Sequence, residues 1–335
     1  MTIFPIQGVW SLIGTVTYKL LCALMSLFYT FNAFVSPATT DPIKAIDEDN
    51  VKMTFAAWGD PQISNYLLKR EQYVRGGAED LANAVTPIDA LVLAGDITEN
   101  GLYAEYQFVY DRIANTGVKN FIASSGNHDI RLRFYSDALE HFTTFTNALN
   151  ENAGSDLRVD SMHYRYSVNG YEFVVLGSDK MVFEESYFSD EQLEWFDATL
   201  KETSATGKPT FVVFHQVLKG TNNVENAWNS SVEGAGSVGD QSDALQEIMN
   251  RYDNIILITG HLHQGFGVGT YELVGKIHSV NLPSVTIDNK DGDDAGNIPG
   301  IGYMVEVYDD EVLFRARNFA KGEYMPDYDI KIDIV

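Results

Sequence analysis

The chain of 335 residues has almost no cysteine, and the single one, Cys22, lies near the start. No disulfide framework and no thiolate metal site can therefore form in the rest of the chain. Any metal ion must be held by His, Asp, Glu, Asn or Gln, a mixed nitrogen and oxygen set that suits Mn, Fe or Zn. Basic residues are also scarce. There are 23 Lys and Arg against 47 Asp and Glu, and the net charge of −24 repels nucleic-acid backbones and anionic membranes, so no nucleic-acid partner is expected.

Long apolar runs are missing except at the beginning. Leu20 to Val35 is apolar but broken by Ser26, Thr30 and Asn32, and it is short against the roughly 20 residues that span a bilayer. The only charge in residues 1–40 is Lys19, and Ser36-Pro37-Ala38 closes the run. A cation, an apolar stretch and a small-x-small site read as an export signal or an uncleaved anchor. The expectation is a secreted protein, or one held on the outer face of the cytoplasmic membrane with this segment as its only membrane contact. Residues 41–50 are polar and acidic and read as a linker to a domain over 51–335.

From Val51 on, short apolar runs alternate with helical segments, the pattern of an α/β layered fold. The clearest runs are Met53–Trp58, Ala90–Ala94, Phe121–Ser124, Phe173–Gly177, Thr210–Phe214 and Ile255–Thr259. They are apolar on both faces, as strands covered on both sides must be. Helices are expected over Ser64–Ala84 and Tyr103–Asn115, after the capping box opened by Ser189, and from an N-cap at Ser242. Gly302–Tyr308 and Glu311–Arg317 alternate like a hairpin.

Five of these runs end in residues that bind metal. They are followed by Asp60-Pro61-Gln62, Gly95-Asp96-Ile97-Thr98-Glu99, Gly126-Asn127-His128-Asp129, His215 and Gly260-His261-Leu262-His263. Ligand sites of α/β sheets gather at the carboxyl ends of strands. A Gly-Asp pair alone is usually a turn and a lone His is usually structural. Five such elements at five strand ends are hard to obtain by chance. His141, His163 and His278 fall outside the pattern.

In this order and spacing the blocks resemble the calcineurin-like metallophosphoesterases over roughly Val51 to Phe319. The one departure is Gln62, where the family usually has His. The resemblance implies a four-layer α/β/β/α sandwich with two mixed sheets. It implies one ion held by Asp60, Gln62, Asp96 and His263, and a second held by Asp96, Asn127, His215 and His261. A hydroxide bridging two such ions would be the nucleophile, His128 the acid for the leaving group, and Asp129 the carboxylate that orients His128. The substrate would be a small phosphorylated molecule. Gln62 leaves open an alternative, a catalytically degenerate surface protein that binds metal or a phosphorylated ligand. Specificity is expected from residues 100–103, 131–135 and 219–240, with Arg131, Arg133 and Trp228 as candidate substrate contacts.

Overall fold

The computed structural model describes residues 41–64, 66–227 and 236–335. The export-like segment and Trp228 lie outside the described residues.

Two sheets form. In the first, β1 (Met53–Trp58), β2 (Ala90–Ala94) and β3 (Phe121–Ser124) run parallel. The hairpin β10 (Ile301–Val307) and β11 (Glu311–Asn318) joins antiparallel to β1. In the second, β5 (Tyr171–Val175), β6 (Thr210–Val213), β7 (Ile255–Thr259) and β9 (Ile277–Asn281) run parallel. Antiparallel β4 (Tyr164–Val168) and β8 (Tyr271–Val274) form its edges. The sheets are therefore mixed, and each parallel core brings its carboxyl ends to one edge.

The period of two in a strand sorts side chains between layers. Phe55 and Ala57 of β1 face the layer between the sheets, and Ala56 and Trp58 face the helices. On β6, Phe211 faces inward and Val212 outward. The first sheet is covered by α1 (Leu68–Ala82), α2 (Tyr103–Ile113) and α4 (Tyr135–Ala153). The second is covered by α5 (Asp190–Ser204) and α7 (Ser242–Met249). Two further helices, α3 (Asn127–Ile130) and α6 (Val224–Ala227), are single turns.

The sheets are held face to face by aromatic rings. Phe55 of the first meets Phe173 at 5.4 Å and Phe211 at 5.1 Å, edge to face, and those two stack at 5.1 Å. Phe55→Ala should cost about 3–5 kcal/mol of stability, the usual range for a buried Phe. Urea unfolding would check this, and a loss below about 1 kcal/mol would mean that the layer repacks.

Two sequence expectations need correction. Residues 41–50 do not behave as a linker. Ile43 and Ala45 are buried, Ala45 N–H donates to Thr86 Oγ1 at 2.9 Å, and Ile46 N–H donates to Glu306 at 2.9 Å. The segment belongs to the same compact unit as the rest, because its two apolar residues find a seat beside β10. Ser242 is not the N-cap of α7 but its first residue, and its hydroxyl accepts from Lys219 N–H at 2.7 Å. Ser189 does cap α5, accepting from Gln192 N–H at 3.2 Å.

Candidate metal centre

Asp60, Asp96, His215 and His261 each sit two residues beyond the end of β1, β2, β6 and β7, where the chain leaves the sheet. Asn127 opens α3, three residues after β3. The loops must turn sharply to aim these side chains at one another. Asp60, Gln62, Asp96, His261 and His263 all have positive φ, between 40° and 73°. That region is costly for residues with a Cβ, here above all for Gln62, and such strain clusters at functional sites. The neighbouring glycines make room. A Cβ on Gly126 would lie 2.1 Å from Asp96 Oδ1, and one on Gly260 would lie 2.6 Å from Asp60 Oδ2.

The side chains form two trios able to hold a cation, Asp60 with Asp96 and His263, and Asp96 with His215 and His261. Asp96 belongs to both. His263 Nε2 is 3.1 Å from Asp60 Oδ1, and His215 Nε2 is 3.2 Å from Asp96 Oδ2 and 3.1 Å from His261 Nδ1. The His215 tautomer is fixed across the sheets. Its Nδ1 is 2.8 Å from the Ala94 carbonyl, which can only accept, so Nδ1 carries the proton and Nε2 is left for a ligand. His261 N–H donates to both oxygens of Asp60, at 3.1 and 3.0 Å.

Two amides complete the set. Gln62 Oε1 and Asn127 Oδ1 are buried without a hydrogen-bond partner. A buried carbonyl oxygen left bare is costly, and an ion beside each trio would satisfy it. The donor chemistry and these two orphaned oxygens fit two divalent ions. The Asn127 amide is oriented by Glu184, whose Oε2 accepts from Nδ2 at 3.0 Å.

Electrostatics follow from burial and mutual contact. Burial disfavours charge on both Asp96 and His215, but their contact outweighs it, lowering the carboxyl and raising the imidazole. Burial, followed by the neighbouring His215, holds His261 well below the usual range. For His128, burial opposes protonation, yet Glu99 and Asp96 raise it.

His128 stands at one wall of a cleft of about 250 Å³ that Asp96, Glu184, His261, His263 and Lys290 also line. Its backbone N–H donates to Asp96 Oδ1 at 2.8 Å. Its Nδ1 is 2.9 Å from the Glu99 carbonyl and 3.3 Å from Glu99 Oε1. Gln62 Nε2 lies 3.1 and 3.0 Å from the two ring nitrogens. A point so nearly equidistant from both must lie over the ring face, because the in-plane position would collide with the carbon between them.

Asp129 does not touch His128, contrary to the role expected for it. Its carboxylate accepts from the backbone N–H groups of Ile97, Thr98 and Gly126 at 3.1, 3.0 and 2.9 Å, and from Thr98 Oγ1 at 2.7 Å. It buckles the β2 loop to the β3 loop. Glu99 is the carboxylate beside His128, and it is itself paired with Arg70. The signal for it was its place at the end of Gly95-Asp96-Ile97-Thr98-Glu99. Ser284 and Thr286, which hold the carbonyls of Asp60 and Pro61 at 2.9 and 2.7 Å, carried no motif.

Arg131 reaches the site, with Nη2 at 3.0 Å from His128 Nδ1 and Nη1 at 3.1 Å from Glu184. Arg133 is instead tied to the Asn100 carbonyl at 2.9 Å. His141, His163 and His278 lie against Gly101, Trp195 and Tyr271, away from the trios.

Comparison with known proteins agrees with this geometry. Residues 53–265 match the family model for calcineurin-like phosphoesterases. A probable cyclic nucleotide phosphodiesterase of Synechococcus sp. is 27% identical over 180 residues, 53% of this chain, and the chain spans 59% of that protein. A dimetal phosphatase from Danio rerio superimposes with a TM-score of 0.61 at 16% identity, covering 85% of this chain and 100% of that one. The purple acid phosphatase of yellow lupin gives 0.54 at 14%, covering 84% and 53%. At these identities the two structures speak for the fold, while the family model spans β1 to β7 and the five motif loops. The chain therefore belongs to the calcineurin-like phosphoesterase family.

Proposed function

We propose that the protein hydrolyses a small phosphate ester in the cleft, with His128 as the acid for the leaving group. The observation that carries this reading is the pair of ligand trios that share Asp96, with His128 at their edge. Asp60, Gln62, Asp96 and His263 would hold one ion, and Asp96, Asn127, His215 and His261 the other. When bound, such ions neutralise phosphoryl oxygens and lower the pKa of water.

The chain's own residues do the rest. The Glu99 carbonyl 2.9 Å from Nδ1 would hold a proton there, leaving Nε2 of His128 to face the leaving oxygen. The Gln62 amide over the ring and Glu99 beside it hold the imidazole in place, so that proton transfer needs no reorientation. Arg131, at the same wall, would meet the substrate phosphate after releasing Glu184. The name of the Synechococcus relative makes phosphodiesters the first substrates to test.

Elemental analysis after reconstitution with Mn should find two ions per chain, with hydrolysis lost in chelator and restored by metal. One ion at saturation would refute the two-ion scheme and point to the Gln62 side as the weak one.

A further inference from the structure

Large apolar side chains left exposed are not spread evenly over the described residues. Apart from Ile46, Val85, Leu273 and Val335, they sit on the segments that leave the carboxyl ends of β1, β2, β3, β5 and β7, around the mouth of the cleft. On the β1 segment Tyr66 is 84% exposed and Leu68 69%. On the β3 segment Leu132 is 59% and Phe134 81% exposed, while Arg131 before them and Arg133 between them are half-buried. On the β5 segment Met181 and Phe183 are also exposed, with Val182 half-buried between them. These segments meet at the cleft. Arg131 lies 5.4 Å from the Phe183 ring and contacts His128, and Lys69 pairs at 3.5 Å with Asp288, which lines the cleft.

On the β3 segment the usual order of a soluble loop, polar outside and apolar inside, is reversed. The apolar tips of the β1, β3 and β5 segments each have a cation beside them in the chain, Lys69 on the first, Arg131 and Arg133 on the second and Lys180 on the third. The tips stand on separate loops, which disfavours a peptide or helix as occupant. An apolar tip with a cation behind it matches the order of acyl chain and phosphate in a lipid surface, where Tyr and Phe are at home. The chain's net charge of −24 disfavours an anionic bilayer.

We propose that this rim seats the protein on a zwitterionic phospholipid surface, and that the ester entering the cleft belongs to a lipid headgroup. The substrate half of this proposal rests on the hydrolytic reading of the cleft, and the docking half does not.

Cys22 is the only cysteine, so a full-length Cys22→Ser chain accepts a single reporter. An environment-sensitive fluorophore on Phe134→Cys should shift to the blue and brighten severalfold with phosphatidylcholine vesicles. The same label on Val85→Cys, at the opposite strand ends, should not respond. No shift at 134, or equal shifts at both positions, overturns the docking proposal. A Tyr66→Ser, Leu68→Ser, Met181→Ser variant should lose at least about tenfold in rate on phosphatidyl-p-nitrophenol in phosphatidylcholine vesicles. Its rate on soluble bis-p-nitrophenyl phosphate should stay within about twofold of wild type. Equal losses on both substrates overturn the substrate half. If wild type fails on the soluble ester, the hydrolytic reading falls while the fluorescence result still stands.

Discussion

Asp96→Ala should leave the protein folded, with neither ion retained at stoichiometry and with hydrolysis reduced by on the order of 10³-fold or more. The residue is common to both trios, so its loss opens both at once. Charge stabilisation by a metal is worth several kcal/mol, and each 1.36 kcal/mol is tenfold in rate. Removing His263 touches one trio only and should leave one ion. Metal content and kcat measured together on both variants distinguish the cases. If Asp96→Ala keeps one ion at full occupancy, the carboxylate is not shared.

His128→Asn should separate chemistry from coordination. Metal content should be unchanged and kcat should fall about 10²–10⁴-fold, the usual share of general acid catalysis. The loss should depend on the leaving group. An alkyl ester, whose departing alkoxide needs a proton, should suffer most, and a p-nitrophenyl ester least. The geometry behind this proposal is the Glu99 carbonyl 2.9 Å from Nδ1, which would hold a proton there and leave Nε2 as the transferring atom. Equal losses on both esters would make His128 a phosphate-positioning residue, and loss of metal would make it a ligand.

The strand ends and the positions that the structure gathers around the two trios are legible because each is a local event, an apolar run followed by Gly-Asp, Asn-His or Gly-His. The boundaries of β1, β2, β3 and β7 match the apolar runs to the residue. What could not be read is what depends on distant partners. Asp129 sits next to His128 in the chain, but a helical turn points adjacent side chains apart, and its carboxylate is captured by the β2 loop. The long helix α4 was missed although Ala138, Phe142, Phe145 and Leu149 mark one face, because polar residues dilute the pattern. The bidentate pair of Arg317 with Asp80, at 2.7 Å for each bond and fully buried, joins residues 237 positions apart. Nothing local announces it.

The cleft draws its donors from both sheets, Asp60, Asp96 and Asn127 from one and His215 and His261 from the other, and Ala94 and His215 are bonded across the seam. Cations held there would act as a rivet between two halves that otherwise adhere by apolar packing and a few hydrogen bonds. By mass action, ions present at about 100 times their dissociation constant add about 2.7 kcal/mol to the folded state. Melting temperature thus becomes a gauge of metal supply. A chain starved of metal would be both inactive and easier to unfold, so that quality control by proteolysis would remove the idle molecules first.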